Sequence, residues 1–217
     1  MILIVACALT FITTSLVAQP LSQGKITYKV VEASEGMPTE VVLTFSKSKS
    51  HWEWKNNGIS IIQIVNPDNK EGGILYTEKG TKLFNSMSPE LLTYFSVPGV
   101  REYKKSQDTA TIAGITTNRY SFVIENTATG DVRDADVWMD PNCINQLPSI
   151  GGIAGKLGLP LEFDVWYNGS MVHLKGTSVS RKAVDESIFA MPKGLAPRQE
   201  TTTISDSIKI KEPAPVK

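Results

Sequence analysis

Residues 51–65 read HWEWKNNGISIIQIV: two short runs rich in aromatic and β-branched side chains, on either side of Asn56-Asn57-Gly58. Asn and Gly tolerate positive φ, so this triplet is a hairpin turn. His51–Lys55 is the strand before the turn. Ile59–Val65, the most apolar run in the body of the chain, is the strand after it and belongs in the middle of a sheet.

The same grammar extends in both directions. Towards the N-terminus, Lys25–Ala33 alternates Ile26, Tyr28 and Val30 against Thr27 and Lys29, turns at Glu35-Gly36-Met37-Pro38, and returns as Glu40–Lys47. Towards the C-terminus, Pro67–Gly73 breaks the central strand. Gly73–Glu78 and Thr81–Ser86 then flank Lys79-Gly80 as a hairpin. Ser88-Pro89-Glu90 has the form of an N-cap with Pro at the first helical position, which predicts a short helix over Pro89–Phe95. Arg101–Ser106 reads as an edge strand. Asn118–Asn126 pairs with Asp131–Asp140 across residues 127–130. Pro141–Gly158 is a loop with room for one helical turn. Leu161–Tyr167 and Met171–Lys175 flank Asn168-Gly169, a strong hairpin signal. Asp185-Glu186-Ser187 is a turn or helix start before Ile188-Phe189.

About ten or eleven strands joined by sequential hairpins define a mainly β fold. Val41-Val42-Leu43, Ile61-Ile62 and Val165-Trp166-Tyr167 place apolar side chains on both faces of a strand. A two-layer sandwich would do that. So would a single antiparallel, strongly curled sheet, an open half-barrel with one or two short helices as a lid, and this second architecture is the expected one.

Residues Ile2–Ala18 (ILIVACALTFITTSLVA) are uncharged and apolar or small, the pattern of an export signal cleaved after Ala18. A rival reading takes Ile4-Val5-Ala6-Cys7 as a lipidation box with Cys7 as the anchored residue. From Ala196 the chain is polar and Pro-punctuated, the composition of a disordered tail. The expected organisation is therefore a signal peptide at 1–18, one β-rich domain at 19–195, and a tail at 196–217. The protein is expected to be exported, periplasmic or outer-membrane-associated, with membrane contact no more than peripheral. Lys+Arg and Asp+Glu are equal at 22 each, so no basic excess exists to neutralise a nucleic acid backbone. Loss of Cys7 on cleavage would leave Cys143 as the one thiol, with no internal disulfide.

Catalytic signatures are sparse. Gly176-Thr177-Ser178-Val179-Ser180 lacks the closing Gly of a nucleophile elbow. Gly151-Gly152 and Gly155 are not followed by the Lys-Ser/Thr of a phosphate loop. His51 and His173 fall on separate strands without metal-ligand spacing. The acidic group Asp131, Asp134, Asp136 and Asp140 lacks calcium-loop spacing. Glu162 and Asp164 share one strand face about 7 Å apart, a solvent-facing pair. No catalytic, cofactor-binding or metal-ligating residue is assigned, and the chain is read as a non-enzyme. The aromatics are more suggestive. Trp52 and Trp54 share a face of one strand, and Trp138 and Trp166 lie on two others. With Leu43, Phe45, Tyr120 and Phe122 they form the candidate lining of an apolar-ligand site, set against ordinary core packing of the same rings.

Four short segments add a resemblance. Ala113-Gly114-Ile115 followed by Arg119-Tyr120, then Asp136-Val137-Trp138-Met139, then Leu157-Gly158-Leu159-Pro160-Leu161-Glu162, and finally Phe189-Ala190-Met191-Pro192 resemble motifs of the GLPGLI family of exported bacterial proteins and the related DUF4412 group. The family's Cys after Ala-Gly-x is replaced here, where Thr116, Thr117 and Asn118 stand. The resemblance implies a fold similar to the LolA/LolB lipoprotein carriers, an unclosed antiparallel barrel over a helical lid that holds acyl chains. It supplies no catalytic residue.

Two functions follow as expectations. One is a carrier or sensor of an apolar ligand, an apolar small molecule or a lipid or lipoprotein acyl chain, needing no charged site because each buried CH₂ contributes about 0.8 kcal/mol. The other is a non-catalytic structural or protein-interaction module of the cell envelope. A hydrolase would require two of Glu53, Glu125, Glu162 and Asp164 to converge in a pocket.

Overall fold

The computed structural model describes residues 22–33, 36–86, 99–125, 132–143, 157–167 and 170–195. The expected signal peptide, the helix at Pro89–Phe95, most of the loop at 141–158, the Asn168-Gly169 turn and the polar tail lie outside these residues.

Period-two alternation produces strands wherever the sequence carries it. Eleven strands result: β1 Gln23–Val31, β2 Glu40–Ser46, β3 Lys49–Asn56, β4 Ile59–Asn66, β5 Glu71–Glu78, β6 Thr81–Ser86, β7 Gly99–Ile112, β8 Ile115–Glu125, β9 Val132–Asp140, β10 Leu159–Tyr167 and β11 Ser170–Ser180. They form one sheet in the order β6-β5-β4-β3-β2-β1-β11-β10-β9-β8-β7, with antiparallel neighbours throughout. The sheet is not closed; β6 and β7 are its edges. Among the described residues two short 3₁₀ helices, Pro67–Asn69 and Glu186–Phe189, stand beside it.

The hairpin turns have the expected chemistry. Asn57-Gly58 and Lys79-Gly80 both carry positive φ at each residue, the form whose twist matches the flanking strands. Ala113-Gly114 does the same between β7 and β8. That third turn corrects the sequence expectation. Arg101–Ser106 is only the middle of a 14-residue edge strand that runs on to Ile112.

One face of the sheet forms the core. Ile26, Leu43, Trp52, Gln63 and Ile74 stand opposite one another, strand by strand, from β1 to β5. Tyr28, Val41, Trp54, Ile61 and Tyr76 form the next row. The same face continues through Leu174, Phe163, Val137 and Tyr120, and all of these apolar residues belong to a single buried cluster. The opposite, outer face is mostly charged. Its apolar side chains gather on β4 to β6, where Ile64 is buried and Ile62, Leu75 and Phe84 are half-buried. Val42 on β2 and Trp138 on β9 add half-buried apolar side chains to the same outer face.

Tyr28 ties the two halves of the sheet together. Its ring stacks on Trp52 with centroids 6.0 Å apart and meets Phe163 edge-on at 5.6 Å. Its hydroxyl donates to the carbonyl of Pro160 at 2.9 Å. The intervening strand offers Gly176 beside Tyr28, so no side chain stands between them. Across the other half, Ile112 at the tip of edge strand β7 places its Cγ2 3.7 Å from where a Cβ on Gly176 of β11 would sit. After β11 the chain returns over β3 and β4. Phe189 is buried there, while Glu186 accepts from Ser46 Oγ and pairs with Lys49 Nζ at 2.9 Å.

Candidate functional site

The inner face gathers six of the eight candidate lining residues. Leu43, Phe45, Trp52, Trp54, Tyr120 and Phe122 are all buried and share the apolar cluster. Their strands alternate cleanly, and the alternation aims every second side chain to one side. Trp138 departs from the group. Its register partners are Arg119 on β8 and Glu162 on β10, so it stands on the outer face, half-buried. Trp166 occupies the position opposite Met171, and its side chain falls outside the described residues.

The inner face opens to water at the β7 edge. Tyr103 is 49% exposed and stacks on Phe122 at 5.9 Å, with Tyr120 6.5 Å from Tyr103 and 6.3 Å from Phe122. This aromatic trio runs from solvent into the core. The phenol of Tyr28 lies at the other extreme: burial, and then the neighbouring buried Cys143, push its pKa well above the ordinary tyrosine range, so it remains a neutral hydrogen-bond donor.

Gln63 is the exception to the apolar lining. It sits between Trp52 and Ile74 in the inner row, is 0% exposed, and among the described residues neither its Nε2 nor its Oε1 has a hydrogen-bond partner. Sequence reading passed over it because it lies inside an apolar run. Its odd number does place it on the same face as Ile61 and Val65, and that is the signal that would have found it.

On the outer face, Glu162 and Asp164 converge as their spacing implies, but around a histidine. His173 Nδ1 lies 2.7 Å from Asp164 Oδ1, and its Nε2 lies 3.2 Å from Glu162 Oε1. The remaining Glu162 oxygen holds Lys175 Nζ at 2.8 Å. The hydrogen bond to Asp164, opposed by partial burial and reinforced by Glu162, raises the His173 pKa, because an imidazolium can donate from both nitrogens at once. The β10–β11 register sets Asp164 opposite His173 and Glu162 opposite Lys175, which brings the three side chains together. Glu53 lies on β3, with three strands between it and β10 in the sheet, and does not join the cluster. Beside Glu53, Lys25, Val42 and Lys55 border an open groove of about 460 Å³. His51, half-buried on that same face, has its pKa lowered chiefly by desolvation. Among the described residues no group of three or more His, Cys, Asp or Glu side chains could hold a metal ion, and no helix is long and apolar enough to cross a membrane.

Comparison with models of known protein families and with curated proteins finds no match.

Proposed function

We propose that this is an exported envelope protein that carries an apolar ligand, a lipid or an acyl chain, against the inner face of a strongly curled sheet. The observation that carries the reading is the apolar face itself. It is continuous from β5 to β8, bears Leu43, Phe45, Trp52, Trp54, Tyr120 and Phe122, and belongs to a sheet left open between β6 and β7. Such a face stays dry only if the sheet wraps round or something lies on it.

Curling is supported by the contact at Gly176. Laid flat, four strand spacings of about 4.8 Å would hold β7 about 19 Å from β11. Ile112 nevertheless reaches van der Waals distance of the Gly176 position. The aromatic trio ending at Tyr103 gives a guest a route in from the β7 edge, because rings can part without leaving polar groups unsatisfied.

The test uses the full chain, expressed with its N-terminal segment and purified without detergent. Organic extraction followed by mass spectrometry is expected to recover lipid at a fixed ratio to protein. Titration with a brominated fatty acid is expected to quench the fluorescence of Trp52 and Trp54. Protein free of lipid whose tryptophans are insensitive to the brominated chain would overturn the proposal.

A further inference from the structure

Gln63 is costly where it stands. A carboxamide sealed from water with neither end paired loses hydrogen bonds it would make when unfolded, and Leu or Met would fill the same volume without that penalty. The two register neighbours, Trp52 and Ile74, offer it apolar surface on either side.

We infer that Gln63 reads the head of the ligand, and that the head is a protonated carboxylic acid: the guest is a long-chain fatty acid bound in its neutral form. This rests on the carrier reading above. The argument is geometric. A primary amide presents C=O and one N–H along a single edge, and a carboxylic acid presents C=O and O–H along a single edge. Brought together, the acid donates to Gln63 Oε1 and accepts from Gln63 Nε2, so both orphaned atoms are satisfied by one group. An ester offers no donor. An ionised carboxylate offers no donor and carries a charge that this surface desolvates without compensation. The nearest basic side chains in register, such as Lys25 and Lys55, lie on the outer face and cannot neutralise it. A site built to pair with a polar group discriminates strongly against an analogue lacking it.

The experiment compares hexadecanoic acid with methyl hexadecanoate, each displacing the neutral apolar dye N-phenyl-1-naphthylamine from delipidated full-length protein at pH 5 and pH 8. Wild type is expected to bind the acid about tenfold more tightly than the ester at pH 5. That preference should shrink at pH 8, while ester affinity stays constant. Gln63→Leu is expected to lose the advantage of the acid over the ester at pH 5 and to resist urea better than wild type; Gln63→Met should behave in the same way. Equal binding of acid and ester by wild type overturns this inference and leaves the carrier reading intact. Absence of binding by the dye and by both ligands overturns the carrier reading itself.

Discussion

The hydroxyl of Tyr28 on β1 donates to the carbonyl of Pro160 on β10, 132 residues later and one strand beyond its immediate neighbour. This bond is buried, so neither partner can turn to water when the other is lost. Tyr28→Phe keeps the ring contacts with Trp52 and Phe163 but leaves the Pro160 oxygen unsatisfied. A loss of about 1–2 kcal/mol in urea unfolding is expected, with an unchanged m-value. Tyr28→Ala, which also removes the ring, should lose about 3–5 kcal/mol.

Gly158 adopts φ +140, and a Cβ there would run into the Asp140 carbonyl. Gly114 has φ +78 with nothing within 4 Å of its Cβ position. The two glycines are therefore needed for different reasons. Gly114→Ala should cost about 1 kcal/mol of backbone strain. Gly158→Ala must also push β9 from β10 and should cost at least about 2–3 kcal/mol, as read by thermal melting of the two variants side by side.

The two histidines should pull stability in opposite directions with pH. His173 has a raised folded pKa, so the native chain binds more protons than the unfolded one above the unfolded value of about 6.5. Its contribution is full below that pH and is lost as pH rises through the folded value. His51 has a lowered folded pKa, so its burial is paid for by destabilisation as pH falls through about 6.5. In melting curves from pH 5 to pH 8, His51→Gln is expected to lose stability with rising pH. His173→Gln is expected to gain it. Parallel profiles for the two variants would contradict both assignments.

Phe189 is the buried member of the C-terminal segment, and Asp185 caps its 3₁₀ turn by accepting from Ser187 N at 2.9 Å. Phe189→Ala should destabilise by about 3 kcal/mol or more and expose 181–195 to limited proteolysis. Glu186→Gln removes only a half-exposed ion pair with Lys49 and should change stability by less than about 1 kcal/mol, a difference erased by salt.

Strands with one dry face were legible because their alternation is the direct imprint of that face. Thr81–Ser86 was read to the residue, and Ile59–Val65 to within one. β7 was not, because the stretch Lys105 to Thr109 is polar on both sides at the sheet edge and so carries no period. The partnership of β1 with β11 left no local trace either, since the chain between them is most of the domain. Six lining residues were recognised by size and face. Trp138 shows the limit of that method: an indole is amphipathic, and its place opposite Arg119 on the outer face follows from the β8–β9 register, not from its size. His173 was visible as a residue, but its two carboxylates become partners only once the hairpin register is worked out.

The order of the strands has one last consequence. All adjacent pairs but one are neighbours in the chain, and the exception joins the first strand to the last, with Lys25 opposite Ser180. The first and last strands thus pair in the middle of the sheet, and its rims, β6 and β7, come from the centre of the strand sequence. Rewritten to start at Gly99, to bridge the old ends with a short linker, and to stop at Ser86, the same residues would spell a simple zigzag from one rim to the other. A circular permutant of that design should fold to the same architecture by joining nearest neighbours alone.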